Sequence, residues 1–114
     1  MNFVETEIEG LFVIEPKVFN DERGYFFESF NNEVFIKNGI NEIFVQDNES
    51  LSDKDVLRGL HFQRPPFSQA KLIRVVQGSV LDVAVDLRKE SKTYGKHFSI
   101  ELSAKNKKMF YITT

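Results

Sequence analysis

Residues 71–87 read KLIRVVQGSVLDVAVDL. Two apolar runs, KLIRVV (71–76) and SVLDVAVDL (79–87), flank Gln77-Gly78, which reads as a hairpin turn. In the second run Leu81, Val83, Val85 and Leu87 share one face of an extended chain. Asp82 and Asp86 fall on the opposite face and read as solvated or ion-paired. The stretch DLRKESKTYGK (86–96) is a charged turn. The same texture extends in both directions. LFVIEPKVF (11–19) is apolar, with Pro16 demoting its middle to an edge or a bend. GYFFESF (24–30) sets Tyr25, Phe27 and Ser29 against Phe26, Glu28 and Phe30. IFVQDN (43–48), VLRGLHFQ (56–63) and HFSIEL (97–102) read as further strands, the second stopped by Pro65 and Pro66. KMFYITT (108–114) opens one more apolar strand without a partner, and such an edge invites pairing. Only NNEVFIKNG (31–39) reads as a helix, capped by Asn31 or Asn32 and closed by Gly39. Many short strands, frequent turns and one short helix predict an all-β, mostly antiparallel sandwich or small barrel.

The bulk composition narrows the class. A length of 114 residues suits one domain, 1–114, with one core. Fifteen Lys and Arg balance 17 Asp and Glu, which is no electrostatic footprint for nucleic acid. A hydrophobic fraction of 41% with twelve Phe argues for a packed fold rather than disorder. The absence of cysteine excludes disulfides, thiolate nucleophiles and Cys-based metal sites. The opening MNFVETEIEG has neither a basic n-region nor an apolar h-region. No apolar run approaches the ~20 residues of a membrane helix. The expectation is a cytoplasmic protein with no membrane partner.

The chemistry-bearing residues are few. His61 lies in RGLHFQ and is open to three readings: a satisfied core histidine, a metal ligand or a catalytic base. Imidazole titrates near neutrality, which suits a general base. In a regular strand Arg58 and His61, three apart, would point to opposite faces; they converge on one ligand only if Gly59 kinks the chain or the arginine reaches around. Two histidines, His61 and His97, and no cysteine cannot complete a three-ligand nitrogen site, and His97 reads as an ordinary strand residue. Arg23, in NDERGYF, is either a solvated turn arginine or an anion clamp. Glu28 alternates with Phe26 and Phe30 and needs a donor if buried. Gln46 and Asn48 share a face and offer the donor and acceptor of an amide to a base or sugar. Lys71 either snorkels to solvent or stabilises a developing oxyanion.

Taken together, DERGYFFESF, FVQDNES, VLRGLHFQ, QAKLIRVVQGSVLDVAVDLRKESKTYGK and ELSAKNKKMFYI resemble the dTDP-4-dehydrorhamnose 3,5-epimerase family in order and spacing. The resemblance covers nearly the whole chain. It implies a cupin-type jelly roll, a double-stranded β-helix, of which 1–114 is the N-terminal portion and which is incomplete at its C-terminal end. It implies a homodimer and the conversion of dTDP-4-dehydro-6-deoxy-α-D-glucose to dTDP-4-dehydro-β-L-rhamnose in dTDP-L-rhamnose biosynthesis. Neither metal nor redox cofactor is implied. By the same resemblance His61 is the base that removes the protons at sugar carbons 3 and 5, acidified by the 4-keto group. Lys71 supports the enolate oxygen, and Arg58 contacts the substrate near sugar and diphosphate. Arg23 and Glu28 contact the nucleotide, in part across the dimer. Gln46, Asp47 and Asn48 contact nucleotide and line the pocket, and Phe19 stacks on thymine. The family's general acid, a tyrosine, and the aspartate that orients its histidine are expected beyond Thr114; Tyr94 and Tyr111 do not stand in the matching context. Two further readings compete: a truncated, non-catalytic nucleotide-sugar binding remnant, and a related 3- or 5-epimerase.

Overall fold

The computed structural model describes residues 1–114. Its elements in chain order are β1 (Asn2–Glu5), β2 (Leu11–Glu15), β3 (Val18–Asp21), β4 (Gly24–Phe27), α1 (Asn32–Lys37), β5 (Lys71–Arg74), β6 (Ser79–Val85), β7 (His97–Ser103) and β8 (Met109–Ile112). Every strand pair is antiparallel. A four-stranded sheet has the order β1-β2-β8-β5, and β3-β4 and β6-β7 form two separate ribbons.

The four-stranded sheet is apolar on both faces, which its continuous hydrophobic runs require. Alternate residues of β2 and β8 divide between two cores. Leu11, Val13 and Phe110 turn to one side and join Ile8 and Leu102, with Ile73, Ala84, Phe98 and Ile100 packed around them. This core is the filling between the sheet and the β6-β7 ribbon. Ile14, Met109 and Tyr111 turn to the other side and meet Phe35 of α1 and Ile40. Each fully buried side chain of this size contributes roughly 1.5–3 kcal/mol.

The helix is short, so its ends are built carefully. Asn31 is the N-cap, its side chain accepting from the amides of Glu33 and Val34. Gly39 at φ +86° occupies the left-handed C′ position. The Ile40 amide donates to the Phe35 carbonyl and the Gly39 amide to that of Ile36, which is the Schellman pattern. Its apolar contact is the buried pair Phe35 and Ile40. Edge-on rings then run from Phe3 to Phe35, Phe30, Phe44 and Tyr111, with centroids 4.8–6.5 Å apart.

Pro16 separates β2 from β3, as its position predicts. Four expectations need correction. First, Gln77-Gly78 does not close a hairpin, because β5 pairs with β8 and β6 with β7; the chain changes sheet at that point. Second, residues 108–114 are not an unpartnered edge. β8 lies between β2 and β5 and is the most buried strand of the sheet. Third, 43–48 and 56–63 form no strand. An extended run becomes a strand only when another accepts its amides, and here Ile43, Val45, Leu57 and Leu60 stand 77–91% exposed instead. Fourth, the aliphatic stripe of β6 faces outward. Leu81 is 71% and Leu87 51% exposed, while Ala84 packs inward. The aspartate face is therefore the inner one.

Candidate functional site

The candidate residues arise from three places: the β3-β4 hairpin, the irregular segment 43–70, and the inner face of β5. On the hairpin, Phe19 pairs across to Phe26, and Arg23 sits at the turn before Gly24. Both side chains line a shallow groove of about 320 Å³ with Asn20, Asp21, Tyr25 and Phe26. Arg23 holds Asp21 through Nη2 at 2.7 Å and Nε at 3.2 Å, and its amide donates to Asp21 Oδ1 at 2.8 Å. Those bonds hold the Asp21 carboxyl below its ordinary value. The pair is solvent-exposed, so it contributes little stability and can be exchanged for an incoming anion. Phe19 is 55% exposed, with the Lys17 ammonium 5.2 Å from its ring centroid. Glu28 follows the hairpin and accepts from Asn31 Nδ2 at 3.2 Å, which ties it to the helix cap.

In the irregular segment, Gln46, Asp47, Asn48, Arg58 and His61 are all exposed. Arg58 donates from Nε to Ser52 Oγ at 3.0 Å. The parity problem between Arg58 and His61 disappears because there is no strand there. Gly59 has φ +96°, a left-handed conformation that turns the chain between them. A Cβ added at Gly59 would lie 3.2 Å from His61 Cδ2, so the imidazole packs back over the glycine. No hydrogen bond joins His61 to Lys71 or to any carboxylate within this chain.

Lys71 begins β5 and is half-buried. It shares the strand face of Ile73, which packs into the core beneath β6-β7. Asp82 of β6 shares the face of Ala84 and enters the same space from the other sheet. Burial raises the Asp82 carboxyl pKa, the larger effect, while a hydrogen bond from the Val83 amide and then the charge of Lys71 lower it. Asp82 is the residue that pattern reading passed over. The signal for it lay in HFSIEL: Phe98, Ile100 and Leu102 fix the inner face of β7, and the register Asp82↔Ile100 assigns Asp82 to that face.

Tyr111 is buried on the opposite side of the sheet, its hydroxyl donating to Glu42 Oε1 at 3.3 Å. Burial raises its pKa first, and neighbouring Glu42 adds to that, while a hydrogen bond with Thr113 lowers it. It belongs to the outer core and not to this space. No helix is long and apolar enough to cross a membrane.

The antiparallel sheets and the single short helix are features of a cupin-like β-protein, and solved structures of that kind superimpose on this chain. One is dTDP-4-dehydrorhamnose 3,5-epimerase from Bacillus anthracis with TDP and PPi bound: TM-score 0.95, 41% identity, 99% of this chain and 65% of that one. Another is the dTDP-6-deoxy-D-glucose-3,5-epimerase from Legionella pneumophila in complex with dTDP-4-keto-L-rhamnose: TM-score 0.93, 47% identity, 99% of this chain and 60% of that one. Among curated relatives, dTDP-4-dehydrorhamnose 3,5-epimerase of Shigella flexneri is 55% identical over 113 residues, 98% of this chain and 62% of the relative. The family profile of dTDP-4-dehydrorhamnose 3,5-epimerase matches residues 5–114. The chain belongs to the dTDP-4-dehydrorhamnose 3,5-epimerase family. It spans about three-fifths of the length of most of the curated relatives it matches, 59% and 62% for two of them, and 34% of a longer one.

Proposed function

We propose that this chain carries the base half of a nucleotide-sugar 3,5-epimerase, acting on dTDP-4-dehydro-6-deoxy-α-D-glucose to give dTDP-4-dehydro-β-L-rhamnose. The single observation that carries the reading is the family match over residues 5–114. His61 takes the proton at carbon 3 or 5; the C–H electron pair moves to the 4-keto group, and the resulting enolate oxygen faces the Lys71 ammonium. Returning a proton to carbon from the opposite face inverts the centre and restores the ketone. Arg58 binds near sugar and diphosphate. Arg23, Glu28, Gln46, Asp47 and Asn48 hold the nucleotide, with Phe19 against the thymine. The groove shared by Phe19 and Arg23 supports that assignment, because a ring and a guanidinium side by side suit a base and its phosphates.

A homodimer is part of this reading. Phe19, Tyr25 and Phe26 on the hairpin and Leu81 on the outer face of β6 are each at least 55% exposed, an apolar surface that a second copy would cover. The test is incubation of the chain with the keto-sugar nucleotide in deuterated water, followed by mass spectrometry and NMR. Deuterium enters at carbons 3 and 5, and His61→Ala stops it. Binding of TDP with no deuterium at either carbon would make the chain a non-catalytic binder, and deuterium at one carbon alone a mono-epimerase.

A further inference from the structure

The space between the four-stranded sheet and the β6-β7 ribbon is apolar except for ionisable groups from two strands. Opposite β6, the inward residues of β7 are Phe98, Ile100 and Leu102, and β8 contributes Phe110. Asp86, beyond the end of β6, is already saturated: Arg88, Ser91 and Thr93 all bond its carboxylate. That leaves Lys71 and Asp82, one from each sheet, both half-buried and of opposite sign. No direct ion pair joins them, since the ion pairs of the chain are Arg23–Asp21 and Arg88–Asp86. Both lie on strand faces turned into this space, and the charge of Lys71 acts on the Asp82 carboxyl without direct contact.

Charge arithmetic makes this arrangement informative. A lysine at a strand end ordinarily runs its stem along apolar surface and releases its ammonium to water. A carboxylate within an apolar interior without a side-chain donor is a standing cost. The backbone amide of Val83 and the charge of Lys71 both favour the Asp82 carboxylate against its burial, and the same attraction acts on the Lys71 ammonium.

We propose that Asp82 is a positioning residue of the site: its carboxylate keeps the Lys71 ammonium inside the sandwich, turned toward the place where the enolate oxygen of the substrate develops. The inference rests on the epimerase reading of Lys71. Asp82 itself touches no reacting atom and transfers no proton.

Two measurements on the intact chain test this. The first needs no activity: NMR titration of the Asp82 carboxyl in wild type, Lys71→Met and Lys71→Gln. Removing the ammonium moves the Asp82 midpoint upward in both variants, and a midpoint indifferent to residue 71 overturns the proposal. The second is deuterium entry into the keto-sugar nucleotide. Asp82→Asn lowers kcat about tenfold, the effect of one pKa unit of coupling, with KM nearly unchanged, and Asp82→Glu recovers most of it. Wild-type kcat in Asp82→Asn overturns the proposal while leaving the epimerase reading intact. Absence of exchange by the wild type removes the epimerase reading and the role with it, and the titration then reports on the pair alone.

Discussion

Asp82, in the middle of β6, and Asp86, just beyond its end, lie four residues apart on the same inner face, yet their surroundings are opposite. Asp86 is 5% exposed and accepts from Arg88 Nε at 2.9 Å, Ser91 Oγ at 2.6 Å and Thr93 Oγ1 at 2.7 Å. Arg88 also donates to the Glu9 carbonyl at 2.8 Å, which ties the 86–96 turn to the loop before β2. The carboxyl is held well below its ordinary value, the Arg88 bond being the largest cause. Asp82 has no side-chain donor, only the Val83 amide, and burial raises it. One aspartate is spent on holding the fold. The other is maintained at a cost to the fold, and such residues gather where chemistry is done.

The largest effect should come from the satisfied aspartate. Asp86→Ala strips Arg88, Ser91 and Thr93 of a common acceptor and is expected to cost about 2–3 kcal/mol in urea denaturation. A loss below half of that would mean that the turn repacks around Arg88 without its carboxylate.

The pH dependence separates the two further. The folded value of Asp86 is depressed, so its stabilisation is complete above the ordinary carboxyl value of about 4 and is lost as pH falls below it. The folded value of Asp82 is raised, so its sign is reversed: the native state holds that proton more tightly, and stability falls as pH rises through the carboxyl range. Denaturation midpoints between pH 3 and 7 should therefore lose their acid limb in Asp86→Asn and keep it in Asp82→Asn.

The same contrast, packed against poised, holds between the sheets and the segment 43–70. Gly59→Ala places a Cβ 3.2 Å from His61 Cδ2 at φ +96°. It should cut deuterium entry about tenfold by displacing the imidazole, while the denaturation midpoint moves by about 1 kcal/mol or less because the segment is exposed. Arg23→Ala should be the mildest in stability, within about 0.5 kcal/mol, and should weaken TDP binding in calorimetry. Unchanged affinity would remove Arg23 from the site.

Legibility in the sequence follows the same division. The strands of the two cores were readable because LFVIE is a continuous apolar run and SVLDVAV and HFSIEL alternate. The helix was readable because Asn31 and Gly39 mark its ends. What alternation could not supply was the sign of each face. Leu81, Val83, Val85 and Leu87 look like a core stripe, and only the pairing of β6 with Phe98, Ile100 and Leu102 shows that Asp82 faces in. IFVQDN and VLRGLHFQ have strand composition but no partner strand, a property of the whole chain that no local window contains. Of the candidate site, His61, Lys71, Arg58 and Arg23 stand out in the sequence as residue types able to act as base, cation and anion clamp. A kink at Gly59 was legible as a condition on the geometry of Arg58 and His61, and the glycine does take a positive φ of +96°.

The most direct measurement is urea unfolding of wild type, Asp82→Asn and Asp86→Asn at pH 7. Asp86→Asn is expected to be clearly less stable than wild type, and Asp82→Asn at least as stable. A loss of stability in Asp82→Asn equal to that in Asp86→Asn would contradict this, because both aspartates would then be serving the fold.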